Sequence, residues 1–317
     1  MPALYAKAPG KVILFGEHAV VYGQPAIAIP VNKVSATARI LPDITAPPNE
    51  IRIKAPDIQL DTLLSDLSEE HPFALTIQLT SQALSVDHLP AFTLVISSTI
   101  PIAAGMGSSA AISIAIIRAL ADFLGQPLSP EKISALAYEV EKIHHGTPSG
   151  IDNQVIAHQK PVYFTTGQPV EYLSVEQPTH WVIADSGEKT PTRETVSDVR
   201  DRRADDPKTF DDIFHQIGTI TIQARTALIR GQINLLGELM DENQRLLEQL
   251  GVSSPNLDHL IDAAKGAGAA GAKLSGGGRG GNMIALSPTE DMSAIKTALL
   301  DAGAQRVITT TLTRGGV

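Results

Sequence analysis

Cysteine is absent from all 317 positions. That excludes disulfides, zinc–thiolate sites, iron–sulfur clusters and thiol nucleophiles, and it fits a reducing compartment. Long apolar runs are missing too. Nothing approaches the ~20 apolar residues of a membrane span, and the N-terminal MPALYAKAPGKVILFGEH meets charge and glycine too soon for a signal peptide. The expected setting is the cytoplasm, with no membrane partner. Basic runs are scarce: Lys plus Arg number 25 against 34 Asp plus Glu, a net charge of -9, and none forms a stripe able to neutralise a nucleic-acid backbone. No nucleic-acid partner is expected. A phosphorylated ligand stays open, because backbone N–H groups and a few placed cations bind phosphate whatever the total charge.

What is present is apolar material, 43% of residues, in a chain long enough for two domains of the usual ~100–150 residues. β-type runs occupy residues 11–15, 26–31 and 93–96, with a polar, proline-bearing interruption at 42–50. From Gly107 the spacing turns helical, with Ile112, Ala115, Ile116, Ala119, Leu120 and Phe123 on one stripe and Gly125 as the stop. A second helix is signed by Ser129 as cap, Pro130 at the first position and Glu131 at the positive end. Ile133, Leu136, Ala137, Val140 and Ile143 make its stripe, which ends at Gly146. A turn-rich passage at 167–178 marks a domain boundary, dividing the chain into 1–170 and 171–317. The charged stretch 198–212, DVRDRRADDPKTFDD, reads as a solvated helix end and loop. Helices are expected at 214–230 and 233–250 and another to about Lys265, then a strand at 283–286, a helix at 291–300 and a strand at 306–311. The class is α+β.

Four stretches carry candidate chemistry. GMGSSA, residues 105–110, satisfies the dinucleotide pattern G-x-G-x-x-G/A, but residues 97–104 separate it from its strand and several β-type runs come first, which argues against a Rossmann unit. A nucleoside triphosphate site accounts for it better, with glycines admitting phosphate to the helix end and Ser108 and Ser109 adding hydroxyls; an ordinary capped helix start is the alternative. SGGGRGGN, residues 275–282, is a close-approach loop between strands or a flexible hairpin tip. The nearest thing to a Walker A loop, Gly266 and Gly271 before Lys273, fails on the lysine position and on Leu274. Glu141 and Asp152 flank HHGTPSGI, so that one carboxylate could hold a metal and the other meet a substrate hydroxyl, unless both are surface acids; His144 and His145 read as structural. KVILFGEHAVVYG puts Lys11 at a strand start and Glu17 with His18 in the following turn, a substrate clamp or an exposed strand lysine.

Together these stretches resemble the GHMP superfamily of small-molecule kinases: KVILFGEHAVVYG is similar to the first motif of its mevalonate kinases, PIAAGMGSSAA to the ATP phosphate loop, KLSGGGRGGN to the third motif, and HGTPSGIDN to a fourth. The matches run in the family's order. The resemblance implies a two-domain α+β fold with ATP and substrate in the cleft between domains, and phosphorylation of the primary hydroxyl of (R)-mevalonate. It makes Asp152 the catalytic aspartate, Lys11 its neighbour at the reacting hydroxyl, and Ser109 with Glu141 the ligands of Mg2+. Gly105, Met106, Gly107, Ser108 and Ser109 would hold ATP, and Glu17, His18 and Thr192 the substrate. The family often forms homodimers. Two departures stand out: Arg279 interrupts a loop of small residues, and Thr190 replaces an arginine near the substrate carboxylate in many animal members, leaving Lys189 or His18 as its expected holder. The alternatives are a phosphomevalonate or sugar kinase of the same superfamily, and an inactive nucleotide-binding homologue.

Overall fold

The computed structural model describes residues 4–101, 105–145, 148–188 and 190–314, apart from the side chains of His144 and His145. The expectations for those two histidines and for Lys189 lie outside the described residues. In chain order the strands and helices begin with β1 (Leu4–Phe15), β2 (Ala26–Pro42), β3 (Ile51–Ala55), β4 (Leu60–Leu63), α1 (Pro72–Ala83), β5 (Phe92–Ser98), α2 (Ser108–Phe123), α3 (Pro130–His145) and α4 (Ile151–His158). They continue with β6 (Val162–Phe164), β7 (Glu171–Tyr172), β8 (Thr179–Asp185), α5 (Thr192–Asp205), α6 (Pro207–Arg230), α7 (Ile233–Gln249), α8 (Pro255–Gly266), β9 (Gly271–Ser275), β10 (Asn282–Ser287), α9 (Ser293–Asp301) and β11 (Arg306–Leu312).

The chain forms two compact units. One holds Val34–Pro101 and Gly107–His158 with the described residues up to Gly10; the other holds Lys11–Lys33 and Gln159–Val317 with Gly105 and Met106. The division expected from sequence, 1–170 and 171–317, is continuous, whereas the units interleave. β1 and β2, 12 and 17 residues long, each give one end to either unit. A change of composition along the chain carries no trace of that.

In the first unit the strands run β4-β3-β5-β2, with β3 and β5 parallel and the other pairs antiparallel. Helices α1 to α4 pack on one another, and α2 also meets β5. Being enclosed on several sides, α2 buries Ile114 and Ile117 as well as Ala115, Ile116 and Ala119, so its apolar surface is wider than the single stripe expected, and Ile112 is only half-buried. Its alanines let neighbours approach closely. α3 starts as its capping residues predict, Ser129 Oγ accepting from Lys132 N–H at 3.4 Å. Its last predicted core residue, Ile143, is exposed.

In the second unit β6 pairs with the start of β2 and with β7, while a four-stranded antiparallel sheet runs β11-β8-β10-β9. Trp181, Val182, Ile183 and Ala184 of the inner strand β8 are all buried, so both sheet faces are covered and the strand reads as a continuous apolar run. The expectation of a loop in 198–212 is corrected: α5 runs to Asp205 and only Asp206 separates it from α6. Asp206 caps α6 by accepting from Thr209 N–H at 3.2 Å, and Pro207 stands at its first position, a start signal concealed by the surrounding charge. Elements α1, α4, β6, β7 and β9 went unread in the sequence.

Gly237 of α7 is held by contact with the strand beside it. A Cβ there would stand 2.0 Å from the Ala270 carbonyl oxygen, and one on Gly271 2.4 Å from that of Gly237. Alanine is the better helix former, so on propensity alone Gly237→Ala should stabilise α7 by about 1 kcal/mol. The expected outcome is the reverse, a loss of about 1–3 kcal/mol from the overpacked α7–β9 contact, read as a fall in the urea midpoint against the parent protein.

Candidate active site

The turn between β1 and β2 carries Glu17 and His18. Gly16 permits it: at its φ of 92° a Cβ would lie 2.4 Å from the Pro25 carbonyl oxygen. Tyr22 fastens the turn to α6 by stacking on Phe214 at 4.2 Å between ring centroids, with the Arg203 guanidinium 5.0 Å from the Tyr22 ring centre. Charge fastens it to β9. Glu17 Oε1 and Lys273 Nζ form an ion pair with both side chains wholly buried. Burial raises the Glu17 pKa and lowers that of Lys273, and their mutual attraction opposes both shifts. Lys273 Nζ also donates to the Leu274 carbonyl at 2.6 Å.

His18 sits at φ 60°, in the left-handed region, and its Nε2 donates to the Gly277 carbonyl at 3.0 Å. A ring that gives its proton to a carbonyl through Nε2 presents Nδ1 as an acceptor. Desolvation then lowers the pKa to about 4, opposed by the Gly277 bond and reinforced by the Arg279 charge. His18 is therefore neutral. With its Nε2 proton on Gly277, the ring has only Nδ1 to turn toward a ligand.

Two more ties bind β1. Lys11, itself buried, donates its backbone N–H to the Met106 carbonyl at 3.0 Å. Ile13 N–H donates to Ser275 Oγ at 3.2 Å, and Ser275 Oγ donates back to the Ile13 carbonyl at 2.8 Å. Met106 has a buried side chain, so it offers a ligand only its backbone.

The glycine loop between β9 and β10 is fixed, which removes the flexible-tip alternative. Arg279 N–H donates to Val252 O at 2.7 Å, Thr190 Oγ1 to Arg279 O at 2.6 Å, Gly281 N–H to Glu188 O at 2.9 Å, and Ser186 N–H to Gly281 O at 2.8 Å. Side chains have no room here: a Cβ on Gly278 would stand 2.0 Å from Val252 O, and one on Gly280 2.8 Å from Glu188 O. Gly276 and Gly105 differ: their chain neighbours aside, no atom of the described residues lies within 4 Å of the space a Cβ would take. A pocket lined by Gly105, Thr190, Thr192, Ser275 and this loop opens there, and none of the described residues lining it carries a charged side chain. Backbone amides in such a concavity suit an anion. Thr192, exposed at the start of α5, also lies against the loop, its Cγ2 3.0 Å from where a Gly277 Cβ would be.

In the other unit, Gly107 takes the N-cap position of α2 at φ 70° and no described side chain caps that end, so the first-turn N–H groups near Ser108 and Ser109 are left to water or a ligand. Ser109 Oγ donates to Glu141 Oε1 at 2.5 Å, joining α2 to α3. A hydroxyl and a carboxylate are hard oxygen donors, the kind Mg2+ takes along with phosphate oxygens and water. Among the described residues no three His, Asp or Glu side chains converge on a possible metal position, and a magnesium site completed by nucleotide needs no such cluster. Asp152 is half-buried in the first turn of α4. That helix is anchored to α3 by Asn153 Nδ2, which donates to Ser134 O at 3.1 Å and Ser134 Oγ at 2.7 Å.

The structure thus gathers Lys11, Glu17, His18, Gly105, Met106 and Thr192 around the β1 turn and glycine loop of one unit. It gathers Gly107, Ser108, Ser109, Glu141 and Asp152 on α2 to α4 of the other. Sequence reasoning gave Lys273 no role in the first set, although it named Thr190 and the loop that Ser275 opens. For Lys273 the signal was available, an isolated lysine in an otherwise apolar run.

Comparison with known proteins agrees over both units. The GHMP kinases N terminal domain profile matches residues 73–160, and the GHMP kinases C terminal profile residues 224–305. A mevalonate kinase of Thermococcus sibiricus is 35% identical over 96% of this chain and 95% of its own, and one of Pyrococcus abyssi 35% identical over 98% and 96%. The crystal structure of L. major mevalonate kinase in complex with R-mevalonate superposes with a TM-score of 0.84 at 28% identity, covering 99% of this chain and 97% of that one. Among the described residues no helix is long and apolar enough to cross a membrane.

The neutral, buried His18 has a measurable consequence. Its folded pKa of about 4 lies below the ordinary 6.5, so its contribution to stability is present above pH 6.5 and is lost as pH falls toward 4. The loss reaches about 3 kcal/mol by pH 4. His18→Asn, which tolerates positive φ and does not titrate, should flatten that part of the curve. Urea unfolding of both proteins at pH 7.5 and pH 4 measures it, and an equal pH dependence in the two would exclude a buried neutral ring.

Proposed function

We propose the following chemistry for a chain that belongs to the GHMP kinases and, within them, to the mevalonate kinases: transfer of the γ-phosphoryl group of ATP to the primary hydroxyl of (R)-mevalonate, giving 5-phosphomevalonate and ADP. The observation that carries it is the Ser109–Glu141 pair at the glycine-opened start of α2, in a chain aligned with mevalonate kinases almost from end to end. ATP is the phosphoryl donor and Mg2+ the metal, held by Ser109 and Glu141; when bound, it offsets the negative charge of the phosphates.

An alcohol is a weak nucleophile at neutral pH, so a carboxylate must take its proton as the new bond to phosphorus forms. Asp152 takes that proton from the hydroxyl, whose oxygen bonds to the γ-phosphorus while the bond to the β-phosphate oxygen breaks and ADP leaves with the electron pair. Lys11 supplies positive charge at the reacting hydroxyl. Gly105 to Ser109 cradle the phosphates through backbone N–H and hydroxyl groups, where most of the stabilisation of this transfer resides. Thr192 meets the substrate through its exposed hydroxyl, and Glu17 and His18 set the wall of the substrate site by holding the turn to β9 and the glycine loop. A phosphorylated substrate would call for spare cations, and two of the nearest are already spent: Lys273 on Glu17 and Arg279 on Asp198. This favours mevalonate over phosphomevalonate. A cytoplasmic homodimer is the state proposed with this activity.

A coupled ADP-release assay across mevalonate, phosphomevalonate, galactose and homoserine tests the reading, with turnover expected on mevalonate alone. Asp152→Asn should lose about 10³-fold or more in kcat while ATP still binds. Glu141→Gln should raise the Mg2+ concentration needed for half-maximal rate by about tenfold. Turnover by Asp152→Asn at the parental rate would remove the proposed proton acceptor.

A further inference from the structure

Arg279 is out of place by composition. Its neighbours at 276, 278, 280 and 281 are glycines at positive φ, and Arg279 adopts φ 55° among them, a conformation that strains a residue with a side chain. What the strain accompanies is a set of three contacts, two of them made by a side chain that glycine lacks. Its Nε donates to the Gly251 carbonyl at 3.0 Å in the turn between α7 and α8, and its NH2 group pairs with Asp198 on α5. Its backbone carbonyl receives the Thr190 hydroxyl just before α5 begins.

α5 needs such fastening. Of its 14 residues only Thr195 and Val199 are buried, so apolar packing holds it weakly. Polar contacts do the rest: Asp198 to Arg279, Arg203 to Asp211 at 2.6 Å, and Arg202 NH1 to the Leu250 carbonyl at 2.6 Å. The first residue of the helix is Thr192, which lies against Gly277 and lines the pocket.

We propose that Arg279 is a positioning residue that sets α5, and with it Thr192, against the glycine loop, so that the alcohol is placed correctly beside the phosphate-binding backbone. This deepens the reaction assigned above and rests on it. The Arg279 and Asp198 side chains are 36% and 41% exposed, so solvent screens their attraction and the pair adds little to global stability. Its effect is geometric. A shift of about 1 Å in a positioning group is enough to cost up to 10²-fold in rate, without unfolding anything.

The experiment uses the full chain with Arg279→Ala, Asp198→Ala and Asp198→Glu. Both alanine variants should raise the mevalonate KM about tenfold while the ATP KM stays within about twofold and Tm falls by no more than about 4 °C. Trypsin should cut α5 after Arg200, Arg202 or Arg203 several-fold faster, because a loosened helix opens locally more often. Asp198→Glu, which keeps the charge and can still reach the guanidinium, should restore the parental mevalonate KM. An unchanged mevalonate KM in Arg279→Ala overturns the proposal, as does an equal rise in both KM values with a large fall in Tm. If the parent protein proves inactive on mevalonate, the assigned reaction fails instead, and the cleavage rates decide the latch: faster cutting supports it and unchanged cutting overturns it.

Discussion

The buried Glu17–Lys273 ion pair is the constraint from which the geometry of the second unit follows. Taking both charges out of water costs several kcal/mol per ion before their attraction and the Leu274 carbonyl offset it. Such a pair tolerates no slippage, because moving either partner leaves an uncompensated charge in the interior. It therefore fixes the register between the end of β1 and β9. Ile13 with Ser275, and His18 with Gly277, are then paired at neighbouring points of the same seam. A hydrophobic pair would hold the turn to β9 as firmly, but with less demand on register.

The glycine loop extends that seam and depends on a different physical quantity, close approach. Gly278 and Gly280 have carbonyl oxygens where a side chain would be, so the loop packs backbone against backbone. Several of its own polar groups are engaged by neighbours, so its amides are preorganised and lose little entropy on binding a ligand. Gly276 and Gly105 leave open space where their neighbours leave none. Two classes of glycine thus occur in this unit: those that let the protein approach itself, and those that leave room for something else.

Much of this was legible in the sequence where the cause is local. Ser129, Pro130 and Glu131 announced α3, and Gly107 announced the open start of α2, because caps and φ preferences act within one turn. The stretch 198–212 was misread because its charges concealed the Asp206–Pro207 start signal between two helices. β9 was missed since GAKLS has neither alternation nor length, and its lysine is accounted for only by an acid 256 residues earlier in the chain. The candidate site divides in the same way. Ser109 and Glu141, 32 residues apart, meet because α2 packs on α3. Asn153 is tied to Ser134, and Thr190 to Arg279, by contacts that no spacing encodes.

Charge completes the account. A chain of net charge -9 that binds a polyanionic nucleotide has to meet that charge locally, and the cations nearest the glycine loop do not supply it. Lys273 is neutralised by Glu17, Arg279 by Asp198, and His18 is held neutral by burial. On the proposed reading, what remains is Lys11 and, for the rest, dipoles: the N–H groups at the start of α2 and the amides of the glycine loop, with the metal that Ser109 and Glu141 would hold. Dipoles and a departing metal–nucleotide complex suit turnover better than a cluster of fixed lysines, because they can stabilise the transferring phosphoryl group without holding the product equally tightly. The acidic composition is therefore compatible with the phosphate chemistry while Lys273 and Arg279 keep their acidic partners.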